Sequence, residues 1–436
     1  MEDLRLILAI VGIIAVVVLL IKKVETRTAL IGVGLILCVL SFKPMDAFTA
    51  FTASMTKAGL IKAICASMGF AFVMKFTKCD QHLVNALTKP LGNIGFFLIP
   101  MVTLLTYMIN IAIPSAAGCS AAVGATLIPL LMASGVRPAM AGAAVFAGVF
   151  GSVLSPGNAH NIFVTEMVVK GGNTAYTVQD VIKVQMPSAF VALGIVLVCI
   201  TLMAFVFKDY SKGKNYLIET GIEEKNTKDI KVNYLYALMP LVPLVILIIG
   251  GTSLNKVPFL AWTKMGVAEA MLIGGVLSIF VTMTNPQTIV KEFFNGMGSA
   301  YANVIGIIIA AGVFVAGLTA CGAIDFIIEL LKSEQNYVKF GGTFIPYLMG
   351  IITGSGDAAT FAFNEAITSQ AIHLGFEQDK LGMAASIAGA LGRGSSPIAG
   401  ACIVCAGLAL ANPVELAKRT ALGMFISIVV IAFFIL

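Results

Sequence analysis

Long apolar runs with almost no charge inside them are the feature that most limits what this chain can fold into. The first run, 4–21, lies between the acidic pair Glu2-Asp3 and the basic pair Lys22-Lys23. Of the 436 residues, 58% are hydrophobic and 11% are charged, whereas a soluble domain carries about 25% charged residues. Because so few charges cannot cover a water-exposed surface, lipid must surround most of the chain. We therefore predict an all-α polytopic membrane protein.

Landmark residues recur along the chain at a nearly constant spacing. Five pairs are separated by 240 to 246 residues: Pro44 and Pro286, Cys79 and Cys321, Pro100 and Pro346, Ser115 and Ser355, and Ser155-Pro156 with Ser396-Pro397. Landmarks that repeat at one long spacing indicate a duplicated unit. We predict a first copy at 1–207, a second copy at 234–436, and a polar linker at 208–233 between them.

Each copy has the same order of segments. The first copy has apolar spans at 4–21, 28–42 and 58–76, two arms at 93–112 and 118–133, a broken segment at 137–170 and a last span at 187–207. The second copy has spans at 234–250, 265–283 and 300–318, arms at 340–352 and 359–374, a broken segment at 380–410 and a last span at 414–435.

The two arms of each copy are joined by a polar kink, at Pro114-Ser115 and at Gly354-Ser355. A full crossing takes about 20 apolar residues, and we expect the arms to be shorter than this. We predict that each pair of arms is a re-entrant helical hairpin, which leaves five crossings in each copy. Because five is odd, the second copy is predicted to be inverted relative to the first.

Basic residues are divided unevenly between the two sides of this arrangement. Sixteen of the 28 Lys and Arg residues fall on the side of the linker, eleven fall on the other side, and Arg393 lies at membrane depth. Because cytoplasmic loops carry an excess of Lys and Arg, we predict a bacterial inner-membrane protein with a cytoplasmic linker and both termini outside. The acidic residues that precede the first run indicate a retained span rather than a signal peptide.

Four breaks rich in Gly, Pro and Ser interrupt the apolar segments, and they lie at 110–118, 154–161, 352–360 and 391–400. Unwound backbone at membrane depth costs several kcal/mol for each unpaired group unless protein or a water-filled cavity satisfies it. Breaks at matching places of two halves indicate the binding site of a transporter, where half-helix N-termini favour an anion and C-terminal carbonyls favour a cation such as Na⁺. The alternative is that Gly and Pro only kink helices or let them pack closely.

Two charges stand out in these breaks. Arg393 lies where a charge costs roughly 2.5–3.5 kcal/mol or more, and its guanidinium suits bidentate recognition of a carboxylate. The alternatives are an ion pair with a distant acid, or capping of backbone carbonyls. Asp357 could bind Na⁺, accept a proton or pair with Arg393, and the alternative is a plain helix N-cap.

Hydroxyl, amide and imidazole groups complete the candidate set. We expect substrate contacts from Ser115, Asn158, Ser355 and Ser396, in addition to Arg393. We expect coupling to a cation or proton from Asn110, Ser155, Asn158, His160, Thr353 and Asp357. An amide such as that of Asn158 offers a carbonyl to Na⁺ and N–H groups to a carboxylate. The alternative for His160 is a hydrogen bond to a loop carbonyl.

The breaks resemble those of the anaerobic C4-dicarboxylate carrier family, Dcu type C, of the ion-transporter superfamily. The resembling stretches are PSAAGCSAAVGATLIPLLMASGVRP from Pro114, VLSPGNAHN from Val153, TGSGDAATFAF from Thr353, and LGRGSSPIAGACIVCAG from Leu391. The resemblance covers most of the chain and is dense at 110–165 and 340–420. It implies transport of succinate, fumarate or malate by symport, antiport or exchange, and it adds Ala116, Gly118, Gly356, Ser395 and Pro397 to the substrate site.

The wider superfamily implies hairpin tips that bind substrate and Na⁺, a homodimer, and elevator-like movement of the site. Bound Na⁺ is the only non-protein group expected besides the small-molecule anion and the lipid bilayer, and no nucleic-acid partner is expected. The chain departs from the family pattern at two places. It has Gly157-Asn158-Ala159-His160 where a more hydroxyl-rich and acidic stretch is expected, and it has Asp357 where asparagine is expected.

Other classes of membrane protein remain as alternatives. A membrane-embedded enzyme needs a nucleophile with its base or a metal cluster, and the sequence has no HExxH motif or carboxylate pair at ligand spacing. The eight cysteines lie in or beside apolar stretches and are interpreted as small hydrophobic residues. A channel is disfavoured by hairpins that meet in the middle of the membrane. Among transporters, a cation/proton antiporter and a carrier of another carboxylate stay open.

Overall fold

The computed structural model describes residues 2–22, 24–56, 58–88, 95–219, 232–250, 257–322 and 335–434. Within these ranges the protein is helical, and the one extended backbone pairing is an isolated bridge between Val136 and Tyr210. The predicted all-α fold is therefore confirmed for the described part of the chain. The middle of the predicted linker, 220–231, lies outside the described residues.

The helices of the first half follow one another with short connections. They are Glu2–Ile21, Thr26–Leu40, Pro44–Met55, Ala58–Phe76, Cys79–Thr88, Leu98–Ala112, Ala116–Ala133, Pro138–Gly148, Ala159–Lys170 and Val178–Val206. The later helices are Tyr216–Glu219, Tyr234–Leu238, Val242–Gly250, Val267–Thr282, Pro286–Ala300, Gly306–Ala320, Gln335–Thr353, Gly356–Ala366, Gln378–Gly394, Gly400–Ala409 and Pro413–Phe434. Short 3-10 segments lie at Gly95–Phe97, Gly151–Leu154, Met239–Leu241, Pro258–Thr263 and Thr368–Leu374, and a π-turn lies at Tyr301–Ile305.

Six helical stretches in the described part of the chain are long and apolar enough to cross a membrane. They are Gly95–Ala112, Ala116–Ala133, Pro138–Lys170, Val178–Val206, Pro286–Ala320 and Pro413–Phe433. Together with the shorter apolar helices, they make the protein a polytopic membrane protein.

The two arms of the first predicted hairpin are among these stretches. Gly95–Ala112 and Ala116–Ala133 are 18 residues each, or about 27 Å of helix, which is close to the predicted bounds 93–112 and 118–133. The predicted span 300–318 is continuous with the helix Pro286–Ala300 before it, because a π-turn at Tyr301–Ile305 continues the helix.

The last helices of the two halves pack against each other in opposite directions. Asp209, just after Val178–Val206, contacts Arg419 near the start of Pro413–Phe434, whereas Ser427 Oγ donates to the carbonyl of Ala192 at 3.4 Å. Later residues of one helix therefore contact earlier residues of the other. The two helices are antiparallel.

The two broken segments are antiparallel as well. Gly142, before the first break, faces the carbonyl of Cys405, after the second break. Val164, after the first break, faces Gly382, before the second. Because the two segments run in opposite directions and contact each other on both sides of their breaks, the first break (154–161) and the second break (391–400) lie side by side.

Buried apolar residues form two large clusters that each draw on both halves of the chain. One cluster contains residues of 98–154 and 189–204 together with residues of 387–431. The other contains residues of 64–79 together with residues of 239–309, and it includes Phe361. The first helix pair, with 140–154 and 387–409 of the broken segments, packs in the first cluster, which we call the inner cluster. The second we call the outer cluster.

A buried ion pair holds the ends of the last helices together at the linker. Arg419 donates from Nε and Nη2 to the two carboxylate oxygens of Asp209 at 2.7 and 3.0 Å. Asp209 is 0% exposed and Arg419 is 5% exposed, and the guanidinium lies 4.4 Å from the ring centre of Phe207. Two charges that are buried and matched in this geometry stabilise each other, but either one alone would be costly.

The Asp209→Asn variant is therefore expected to be destabilised by up to about 3–5 kcal/mol, because Arg419 then keeps only the more exposed carboxylate of Glu415, at 3.0 Å. Thermal unfolding in detergent can be followed with a thiol-reactive dye, since all eight cysteines are free and buried. The matched control is Lys418→Ala, which removes an exposed ion pair with Glu415 that contributes at most about 1 kcal/mol. Equal melting temperatures for the two variants would contradict the assignment.

Candidate functional site

Asn110 ties the first tip (113–115) to the first broken segment. Its Nδ2 donates to the carbonyl of Ile113 at 2.9 Å, and its Oδ1 accepts from the backbone N–H of Ser152 at 2.7 Å. The residue is 0% exposed. One buried amide thus satisfies two backbone groups that the ends of the helices leave unpaired.

Ser115 begins the helix that follows the first tip. Its Oγ accepts from the N–H of Gly118 at 3.2 Å, as an N-cap residue does. Ala116 and Gly118 therefore lie in the first turn, where free backbone N–H groups give a helix its positive end. The predicted tip residues of the first half are together in space.

The first break is held by the amides of two asparagines. Asn158 donates from Nδ2 to the carbonyl of Ser152 at 2.9 Å and accepts at Oδ1 from the N–H of His160 at 2.8 Å. Asn161 donates from Nδ2 to the carbonyls of Val153 and Ser155, both at 2.8 Å. The amide of Asn158, expected to contact the substrate or a cation, here shapes the loop and caps the next helix. The role of Asn161 in the loop was not expected from sequence.

The second tip (354–355) folds against the second break. Gly354 has φ +67, and a Cβ at this position would lie 2.9 Å from the backbone N of Ala399, so glycine suits the site. Thr353 Oγ1 lies 2.8 Å from the carbonyls of Met349 and Ser355. Ser355 precedes the helix Gly356–Ala366, but its side chain makes no capping hydrogen bond.

The hydroxyls of the second break also bond within the protein. Ser396 Oγ donates to the carbonyl of Ile351 at 2.7 Å, and Ser395 Oγ lies 3.0 Å from the hydroxyl of Tyr347. Pro397 lies in the turn that follows and is half-buried. These contacts fix the tip on the break, as the contact of Gly356 with the carbonyl of Gly389 does.

A close approach of helix to broken segment recurs in both halves. A Cβ at Gly151 would collide with the carbonyl oxygen of Tyr107, and a Cβ at Gly392 would collide with that of Tyr347. The tyrosines are 240 residues apart and the glycines 241. Both pairs fit the repeat spacing, so this contact was detectable in the sequence although we did not identify it there.

The charged side chains meet across the two halves. His160 Nε2 lies 2.9 Å from Asp357 Oδ1, and Arg393 Nη1 lies 4.0 Å from the same oxygen. Arg393 Nη2 donates to the carbonyl of Val149 at 3.2 Å, and the imidazole stacks on the ring of Phe361 at 4.5 Å. We call His160, Asp357 and Arg393 the charged triad.

The triad keeps hydrogen-bonding capacity that the described residues do not use. Among them, His160 Nδ1 and Arg393 Nε are buried and have no hydrogen-bond partner. The side chains of His160 and Arg393 are 10% and 15% exposed, whereas that of Asp357 is 37% exposed. A guanidinium with spare donors beside an accessible carboxylate can exchange one carboxylate partner for another.

Three of the other predicted residues line a cavity, and those of the second tip do not. Ser115, Gly118 and Ser155 line a cavity of about 600 Å³ on the first tip, whereas the residues of the second tip pack against the second break. Within the described ranges, no three His, Cys, Asp or Glu side chains are grouped so as to hold a metal ion. The structure therefore has two places of interest, the charged triad and the cavity.

Apolar helices that cross a membrane, with buried charges where two broken segments meet, define a membrane transport protein. A sequence model of the family described as C4-dicarboxylate anaerobic carrier matches residues 4–436, and the chain belongs to this family. It is accordingly a transporter and not an enzyme.

Named relatives agree with this family. The chain is 52% identical over 285 residues to a Haemophilus influenzae protein described only as an uncharacterized transporter, a match that covers 65% of this chain and 100% of that protein. It is 24% identical over 384 residues to the anaerobic C4-dicarboxylate transporter DcuC of Escherichia coli K12, covering 85% of this chain and 78% of that protein. The same protein of Shigella flexneri gives the same identity and coverage.

Proposed function

We propose that the chain is a secondary carrier of C4-dicarboxylates such as succinate, fumarate and malate, with Arg393 as the residue that binds one substrate carboxylate. The observation that carries the proposal is the buried guanidinium at the junction of the two broken segments, with Nε unused among the described residues. A carboxylate there would satisfy a charge that is otherwise costly in this setting. The names of the relatives from Escherichia coli and Shigella flexneri support the substrate class.

Substrate binding at Arg393 requires Asp357 to give up part of its interaction with that guanidinium. His160 is the second partner of Asp357 at 2.9 Å, and protonation of the imidazole would neutralise the carboxylate in its place. The carrier is therefore a proton-coupled one, in which a substrate carboxylate and a proton bind together.

Sodium ions at the tips are the alternative coupling ion. The side-chain oxygens of Asn110 and Asn158 already accept backbone N–H groups, which leaves them less able to bind Na⁺. Asn161 Oδ1 is buried without a partner among the described residues and is the remaining amide oxygen at the first break. This distribution of hydrogen bonds favours the proton over Na⁺.

Alternating access follows from two inverted copies whose helix pairs are re-entrant hairpins. The antiparallel contacts of the last helices and of the broken segments support the inversion. The division of the apolar core into two clusters that each include both copies supports elevator-like movement, in which the inner cluster slides against the outer one.

The linker faces the cytoplasm, both termini face outward, and the carrier is a homodimer. Asp209, at the start of the linker, contacts Arg419, near the start of the last helix. This contact supports placing the linker and the start of the last helix on the same side of the membrane, which the excess of Lys and Arg assigns to the cytoplasm.

Phe48 and Met45 of the helix Pro44–Met55 are more than half exposed, and such a surface suits the second subunit of a homodimer or lipid. Light scattering of the detergent-solubilised protein distinguishes a dimer from a monomer.

The decisive experiment is uptake of labelled succinate into proteoliposomes under an inward proton gradient, an inward Na⁺ gradient, or neither. We expect accumulation with the proton gradient, exchange with internal dicarboxylate in all three conditions, and no added effect of Na⁺. Accumulation driven by the Na⁺ gradient alone would identify Na⁺, and not the proton, as the coupling ion. Absence of both uptake and exchange, together with Na⁺-driven proton movement, would identify a cation/proton antiporter instead.

A further inference from the structure

The cavity on the first tip lies between the two clusters. One wall comes from 67–85 and 240–244, together with Met271, and the other from 111–126, with Ser155 and Pro156. Its volume of about 600 Å³ lies within the range of small-molecule sites. A four-carbon dicarboxylate with part of its hydration shell fits a space of this size.

One end of the cavity lies on the face that carries the linker. Lys75 and Asp80, which line it, are at the end of the helix Ala58–Phe76 and at the start of Cys79–Thr88. The second of these helices contacts the last residue of the linker, since the backbone N–H of Asn233 donates to His82 Nδ1 at 3.3 Å. The cavity therefore begins where the linker ends.

The other end of the cavity lies deep, at the first break. Ser67 is eight residues before Lys75 on the same helix, which places it about 12 Å farther along the axis. Its Oγ lies 3.5 Å from the position a Cβ would take on Gly157, and Met271 Cε lies 3.1 Å from the same position. These two side chains and the break form the floor, and His160 follows three residues after Gly157.

The buried hydroxyl of Ser67 lacks a hydrogen-bond partner within the described part of the chain, and a ligand in the cavity would supply one. The residue is 5% exposed. A buried hydroxyl left unpaired costs about 1–3 kcal/mol, and in this position it faces a cavity rather than a neighbouring backbone group. The first turn after Ser115, with its backbone N–H groups, lies on the opposite wall.

We propose that this cavity is the vestibule through which a dicarboxylate enters from the linker-bearing face, and that Ser67 is a further substrate-contacting residue at its floor. Lys75 supplies a positive charge at the mouth that attracts an anion. Asp80 lines the cavity near Lys75, and burial raises the pKa of its carboxyl above the usual value. The inference rests on the proposed substrate class but makes its own claim about route and side.

Cysteine accessibility tests the route directly. In Ser67→Cys, a negatively charged, membrane-impermeant methanethiosulfonate is expected to react from the linker-bearing face only, and succinate is expected to slow the reaction. Lys212→Cys in the exposed part of the linker reports which face the reagent reaches. Val198→Cys, 59% exposed on a membrane-spanning helix, should stay unreacted, and the parent protein should react little because its eight cysteines are buried.

Ser67→Ala and Ser67→Thr add a transport readout. Loss of one hydrogen bond worth about 0.5–1.5 kcal/mol predicts that alanine raises the KM for succinate about 2- to 10-fold, and that threonine restores it. Ala122→Cys, also on the cavity wall, provides a second labelling position if the Ser67 variants fold poorly.

The outcomes separate the two proposals. If Ser67→Cys and Ala122→Cys are labelled from the linker face but the protein transports no dicarboxylate, the cavity is still an entry route from that face, and the proposed substrate class is wrong. Succinate uptake in a protein whose cavity positions react from the opposite face, or not at all, would overturn the vestibule. Labelling that succinate does not slow would remove Ser67 from the substrate contacts.

Discussion

Replacing Arg393 with lysine is expected to raise the KM for succinate uptake about 10- to 100-fold, with a smaller effect on the maximal rate. A hydrogen bond to a charged group contributes about 1.5–3 kcal/mol, and each 1.4 kcal/mol is a factor of ten in affinity. Lysine keeps the charge but loses the planar pair of donors that matches a carboxylate. Initial rates of labelled succinate uptake into proteoliposomes, measured over a range of concentrations, give both constants.

The control for this variant is Lys380→Gln, on the same helix as Arg393. Lys380 is 54% exposed and pairs with Glu377 at 3.0 Å, so its loss should leave the KM unchanged. The melting temperature of Arg393→Lys should stay close to that of the parent, because the ammonium can still face Asp357. An unchanged KM in a folded Arg393→Lys protein would remove the carboxylate-binding role of this residue.

The sequence was informative about Arg393 and Asp357 because each is a charge inside an otherwise apolar segment. The physical cost of such a charge is local, so it can be read from one stretch of sequence. His160, which also contacts Asp357, is 197 residues away from it in the sequence, and no local pattern indicates that contact. The repeat spacing relates one break to the other, whereas the His160–Asp357 contact joins the first half to the second.

Two features were missed for different reasons. Arg419 was counted only as a basic residue near a membrane surface and Asp209 was not considered, and their burial depends on how Val178–Val206 and Pro413–Phe434 pack. Ser67 is one small polar residue in an apolar helix, where serine is common and gives no signal by itself. Its significance comes from the cavity, which is formed by parts of the chain more than a hundred residues apart.

Several hydroxyls and amides that were expected to bind substrate or a cation instead make hydrogen bonds within the protein. Ser396, Thr353 and Asn158 make hydrogen bonds within the breaks and tips, because unwound backbone in a membrane must find internal partners before it can bind a ligand. Many polar residues near a break therefore hold the break itself. The groups left with spare capacity are fewer, and Arg393 and His160 are among them.

The Asp357→Asn variant is expected to bind succinate about tenfold more tightly at alkaline pH and to lose proton-driven accumulation while it retains exchange. Asp357 lies 4.0 Å from Arg393, and a unit charge pair at that distance interacts by about 4 kcal/mol at an effective dielectric constant near 20. Asparagine removes the carboxylate that competes with the substrate for the guanidinium. It also removes the carboxylate that contacts His160. Counterflow and gradient-driven uptake, measured from about pH 6 to about pH 8, separate the two effects.

His160→Gln should change affinity in the opposite direction. Without the imidazole, Asp357 loses its partner at 2.9 Å and stays with Arg393, so the KM should rise. If the parent protein binds one proton together with succinate, as proposed, the KM for succinate should fall as the pH falls, by at most about tenfold per pH unit. Both variants should lose this pH dependence.

The double variant His160→Gln with Asp357→Asn gives the sharpest test, because the two changes are coupled through one contact. It should behave like Asp357→Asn alone, since the imidazole acts only through the carboxylate. If each change instead lowers affinity and the effects add, Asp357 contacts the substrate or a cation directly, and the competition between two carboxylates for Arg393 is excluded. If Asp357→Asn removes a dependence on Na⁺ rather than on pH, the carboxylate belongs to a sodium site, and the histidine acts only in packing against Phe361.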